Sequence, residues 1–123
     1  MNIIYRDNYT KNLNSKYILL ELDTFQRAPD ELPKTSYCLI SKDQVLLQEI
    51  PYLESNQELH NNMMKNYKIK NWKFCEDALT ILVGKFRGEV DSFYKVMQDR
   101  IVNLKEAKQD LHWTPIITIP EQE

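Results

Sequence analysis

The strongest constraint in this sequence is a series of apolar residues in its second half. Trp72, Cys75, Leu79, Leu82, Phe86, Val90, Phe93, Met97, Ile101 and Leu104 recur at steps of three and four. That spacing follows the helical period of about 3.6 residues and lays one apolar stripe along a helix face. It predicts a long amphipathic helix over 72–104, or two helices in near-continuation. The doubt comes from Gly84 and Gly88, each costing up to ~1 kcal/mol relative to alanine inside a helix. They fall off the stripe, in line with Thr80 and Ser92 at steps of four. One reading is a small-residue groove, Thr80, Gly84, Gly88 and Ser92, on which another backbone packs. The other is that one helix ends and a second begins at 85–88. An unbroken helix, at roughly 1.5 Å per residue, would reach past a small globule and pair with a second copy. That would suit a homodimeric structural module or a secretion chaperone.

Ahead of this stripe the pattern changes. Ser55 and Glu58 match a capping box, and Leu59, Met63 and Tyr67 follow at steps of four, so a short helix is expected over 56–67. Closer to the N-terminus the apolar residues alternate instead. Ile18, Leu20 and Leu22 share one face of an expected strand, and Ile3 to Tyr5 reads as a candidate edge strand. Pro29 and Pro33 mark 26–34 as a loop. Tyr37 to Ile40 and Val45 to Ile50 flank the polar residues 41–44, and Pro51 closes the second run. A β-hairpin is preferred there over a short helix capped by Ser41 and Gln44. Near the C-terminus, 115–120 is a β-like run bracketed by prolines, which suits an edge strand. The chain is therefore expected to be one α+β domain over 1–123. N-terminal antiparallel strands would pack against a short helix and a long C-terminal helix, continuous or broken, with a short C-terminal edge strand.

A chain of 123 residues with 42% hydrophobic and 28% charged residues has the makings of a core and none of the signature of disorder. Its two cysteines, Cys38 and Cys75, lack metal-ligand spacing and read as reduced, buried thiols. No apolar leader opens the chain and no window is long enough to span a membrane, so a cytoplasmic protein is expected.

Chemistry is hard to find. Of the two histidines, His60 stands among Glu58, Asn61 and Asn62 and reads as part of a solvated helix face. His112 lies beside Trp113, where it would cap a helix C-terminus. No nucleotide-binding, nucleophile-elbow or metalloprotease motif is present, and two glycines are too few for a phosphate-cradling loop. No cofactor or metal is expected. The acidic pairs Asp30-Glu31, Glu76-Asp77 and Glu89 with Asp91 would serve a small metal-dependent hydrolase or nuclease holding Mg²⁺ and using His60 or His112. Glu76 and Asp77 are better explained by the dipole at a helix start.

Two candidate binding patches remain. Lys65, Lys68, Lys70 and Lys73 interleave with Tyr67, Trp72 and Phe74, a pattern that could hold phosphates and stack bases. A net charge of −2 argues against nucleic acid as a partner. The same charge, with aromatics, suits a surface that covers a basic protein. Asp30, Glu31, Glu54 and Glu58, placed in or beside expected loops, are the candidate contacts. A toxin-neutralising immunity protein, or a phage inhibitor of a host enzyme, is the most concrete expectation.

Overall fold

The computed structural model describes residues 2–6, 16–107 and 113–118. The strands are β1 (Asn2–Arg6), β2 (Tyr17–Gln26), β3 (Lys34–Ser41) and β4 (Ile117–Thr118). The helices are α1 (Ile50–Lys68), α2 (Trp72–Leu82) and α3 (Asp91–Glu106). The sheet has the order β1-β3-β2-β4. β3 is antiparallel to both of its neighbours, and β4 runs parallel to β2. The fold is α+β, and the short C-terminal strand lies at a sheet edge as expected. Within the expected 115–120 run the strand covers 117–118, and residues 119–120 lie outside the described part.

The alternation in β2 and β3 sets the core face. Ile18 pairs with Ile40 and Leu20 with Cys38, and all four enter one cluster with Leu53, Met63, Met64, Leu79, Leu82, Tyr94, Met97 and Ile101 from the helices. The loop between these strands contains Pro29 and Pro33, and Gln26 braces it with bonds to the carbonyls of Pro29 (3.4 Å) and Glu31 (2.9 Å).

The expected hairpin over 37–50 does not form. β3 already has β1 on one edge and β2 on the other, so a strand returning from it at 45–50 would find no free edge of β3 to pair with. The chain instead makes two single 3₁₀ turns, Lys42–Gln44 and Leu47–Glu49, and enters α1 at once. Pro51 starts that helix instead of ending a strand. It occupies the first turn, where a missing N–H costs nothing. The helix expected over 56–67 therefore begins six residues earlier, and Ser55 lies inside it. Of the alternative at Ser41, a short helix does open there, as the 3₁₀ turn Lys42–Gln44, but the Ser41 side chain makes no capping bond.

The long helix is broken. α2 and α3 are separated by 83–90, where Gly84 (φ 82°), Arg87 (φ 57°) and Gly88 (φ 78°) all adopt left-handed backbone conformations. The N–H of Gly84 is capped by Asp91 Oδ1 at 2.8 Å. Phe86 and Val90 stay buried through the turn, so the apolar period continues where the helix does not. The groove read from Thr80, Gly84, Gly88 and Ser92 is lost, since no single helix aligns these residues. With it goes the reach on which a dimer through this helix depended.

Candidate protein-binding surface

A histidine with a strongly shifted proton affinity lies in the interior, where it bridges a strand and a helix. His60, expected on a solvated face, is fully buried. Its Nε2 lies 2.6 Å from the carbonyl oxygen of Glu21, which can only accept, so Nε2 carries the proton. Nδ1 is then free to accept from the Tyr94 hydroxyl at 2.9 Å. Burial holds the imidazole down at about 4, against a smaller opposing pull from the Glu21 carbonyl. Two neighbours on α1 do similar work. Gln57 donates to the Leu19 carbonyl (2.9 Å), and Asn61 accepts from the Glu21 N–H (3.1 Å). Helix side chains thus satisfy the stretch of β2 edge that β3 does not, before β4 takes over at Phe25 and Gln26.

Nearby, Arg100 grips Asp23 with two bonds of 2.7 and 3.2 Å. Burial works against the Arg100 charge, but Asp23 together with Tyr67 outweighs it and the net shift is upward. Cys38 and Cys75 are free, buried thiols, and desolvation pushes each up to about 11.

The Glu76-Asp77 pair is spoken for. Glu76 binds Lys105 (2.9 Å) and Asp77 binds Lys73 (3.0 Å). Neither lies in the first turn of α2, so these lysines account for them and the helix dipole does not. Among the described residues no three His, Cys, Asp or Glu side chains come together as a metal-binding group. His112 lies outside the described residues. No helix is long and apolar enough to cross a membrane, among the residues described.

The lysine patch is largely absorbed by the fold. Lys68 stands 2.9 Å from Glu21 Oε2, out of line for a good hydrogen bond but close enough to neutralise it. Lys70 lies 5.6 Å from the Trp113 ring centre, and Lys73 holds Asp77. Trp72 packs with Tyr67 and Trp113 at centroid distances of 5.6–5.8 Å, which leaves these rings as anchors of the α1–α2 turn and the C-terminal segment. Lys65 alone of the four is exposed without an ion pair among the described residues.

The proposed acidic contacts do not form one patch. α1 runs alongside β2, with Gln57 at Leu19 and Asn61 at Glu21. Glu54 and Glu58 are exposed on the leading half of α1, so they belong to a helix, not to a loop. Asp30 and Glu31 lie in the turn beyond Gln26. At about 3.3 Å per strand residue, the two pairs stand roughly 20 Å apart along β2.

A different surface concentrates unspent apolar area. Leu46 (58% exposed), Leu47 (85%) and Tyr52 (61%) occupy the segment that leads into α1. Burying a leucine contributes about 1.5–3 kcal/mol, and Leu47 forgoes nearly all of it. This segment is fastened to the α2–α3 connection. Arg87 donates to the Gln44 carbonyl (3.2 Å) and to Glu49 (2.9 Å), while Lys85 reaches the Tyr52 hydroxyl (3.5 Å). Between the two lies a shallow depression lined by Ile40, Gln44, Val45, Leu53, Phe86, Arg87 and Glu89. Reading 45–50 as a strand concealed this surface. No local signal marked it, since adjacent apolar pairs elsewhere in the chain, Met63-Met64 and Phe93-Tyr94, are buried together in the core.

No protein-family model, curated protein or solved structure matches the chain.

Proposed function

We propose that this chain is a non-enzymatic protein-binding module, acting in the cytoplasm by covering a basic surface of another protein, most concretely a toxin or host enzyme that it neutralises. One observation carries this reading. Asp43, Glu54, Glu58 and Glu89 are exposed without an ion pair among the described residues, and the segment leading into α1, with its first turn, exposes Leu46, Leu47 and Tyr52. Exposed apolar anchors are the usual centre of a recognition surface, and exposed carboxylates without an ion pair steer a basic partner.

The test is the association rate against ionic strength for wild type, for Glu54→Gln with Glu58→Gln, and for Asp30→Asn with Glu31→Gln. The first pair should slow association and flatten its salt dependence, because it removes two charges from the field that steers encounter. The second pair, at the far end of β2, should change the rate less. Salt-independent association of the wild type would remove the basis for a charged partner.

A further inference from the structure

We infer that 42–49 is a strap clasped by Arg87 over an apolar cleft, and that it opens as a unit, with the sheet and helices still folded, to uncover Ile40, Leu53 and Phe86. The inference goes beyond the protein-binding reading and needs no partner.

The strap has little burial of its own to hold it down. Neither of its 3₁₀ turns, Lys42–Gln44 and Leu47–Glu49, contains a buried residue. Of its apolar side chains Val45 packs against the core, whereas Leu46 and Leu47 face water. The residues that line the shallow depression with Val45 belong to the core itself: Ile40 is 8% exposed, Leu53 5% and Phe86 2%. A segment with few buried contacts opens locally at a free energy well below that of global unfolding.

The clasp comes from a different part of the chain. Arg87 donates to the Gln44 carbonyl (3.2 Å) in the first turn and to the Glu49 carboxylate (2.9 Å) in the second, so one guanidinium spans the strap. The ion pair is about half exposed, with side-chain exposures of 55% and 38%, and pairs so placed are weak enough to break and re-form. The Arg87 backbone sits at φ 57°, a conformation uncommon outside glycine. Glycine at 87 therefore relieves the backbone while deleting the clasp, and the two consequences have opposite signs. The fold holds or gains stability, and the strap loosens. A loop that is merely part of the cooperative fold would move with the fold.

The experiment follows amide exchange at Glu49, whose N–H closes the second turn on the Leu46 carbonyl (2.9 Å), and in the β2–β3 ladder, for wild type and Arg87→Gly. In wild type, protection at Glu49 should lie roughly a hundredfold or more below that of the ladder and stay flat in low urea, because a local opening exposes little surface. Arg87→Gly should lower protection at Glu49 by about tenfold and leave the ladder unchanged or better protected. The cleft is read by the thiol that Leu53→Cys introduces, with the buried Cys38 and Cys75 as internal references. Iodoacetamide should modify position 53 about tenfold or more faster than either reference, and adding Arg87→Gly should speed that reaction alone. The same urea dependence at Glu49 and in the ladder, or an equal response of both to Arg87→Gly, overturns the strap, and this arm does not depend on how well Leu53→Cys folds. Modification of position 53 no faster than of Cys38 overturns the cleft that its opening uncovers.

Discussion

His60 is where the residue scale changes the most. Replacing it with alanine would leave the Tyr94 hydroxyl and the Glu21 carbonyl without partners inside the core, a loss of roughly 2–4 kcal/mol. A substitution expected to be mild from the sequence thus becomes a test of folding. Its pH dependence has a definite sign. The unfolded imidazole takes a proton near its ordinary value of 6.5, whereas the folded one resists until about 4. Between these values the unfolded state binds more protons, so stability falls as pH falls through that window. From pH 7 to pH 5 the His60 contribution should drop by about 2 kcal/mol. Urea titrations at the two pH values check this, with His60→Gln, which cannot titrate, showing a smaller drop. The sequence did contain a clue. Leu53, His60, Met64 and Tyr67 share one helix face, and all four are buried. The partners that make a histidine tolerable on that face lie 34 and 39 residues away, on α3 and β2, and no local pattern reports them.

Among the elements, the connection from α2 to α3 gives a prediction whose sign decides between two readings. In an unbroken helix, Gly84→Ala would stabilise by up to ~1 kcal/mol. At φ 82° the same change should destabilise by ~1 kcal/mol or more, because an alanine there is strained in the left-handed region. A Cβ at Gly84 would meet nothing within 4 Å, so the cost is one of backbone conformation alone. Equilibrium urea unfolding of the single variant reads the sign directly. The tie between β2 and α3 offers a second check. Asp23 and Arg100 are both mostly buried, with side-chain exposures of 12% and 25%. Asp23→Asn should therefore cost roughly 2–4 kcal/mol, since it leaves a shielded guanidinium without its counter-charge. An effect below about 0.5 kcal/mol, typical of surface pairs, would show that solvent reaches the site freely.

For the whole molecule, charge placement matters more than total charge. Reversing Lys68 and Lys70 to Glu looks nearly neutral if the lysines are merely solvated. In the fold, the first reversal sets a carboxylate against that of Glu21 and the second removes the cation over Trp113. A loss of about 1–2 kcal/mol is therefore expected by thermal or urea unfolding. By contrast, Leu46→Ser with Leu47→Ser should shift stability by no more than about 0.5 kcal/mol, because both side chains already face water. A surface that is costly for solubility and cheap for folding is what a binding role requires.

The sequence by itself determined which residues point inward along most of the chain. The alternation in β2 and β3 and the steps of three and four in α2 and α3 are fixed by backbone geometry, which is local. It could not determine that the helical stripe breaks, because the turn at 83–90 also buries a residue at every fourth position, Phe86 and Val90. Nor could it place 45–50, since a strand needs a neighbour with a free edge and β1 had already taken the one left on β3. The same holds for the candidate site. Glu54 and Glu58 were legible as exposed acids, but Leu46 and Leu47 became a surface only once tertiary structure denied them a strand. Pairing and burial depend on contacts between residues far apart in the chain, and those are decided by the fold as a whole.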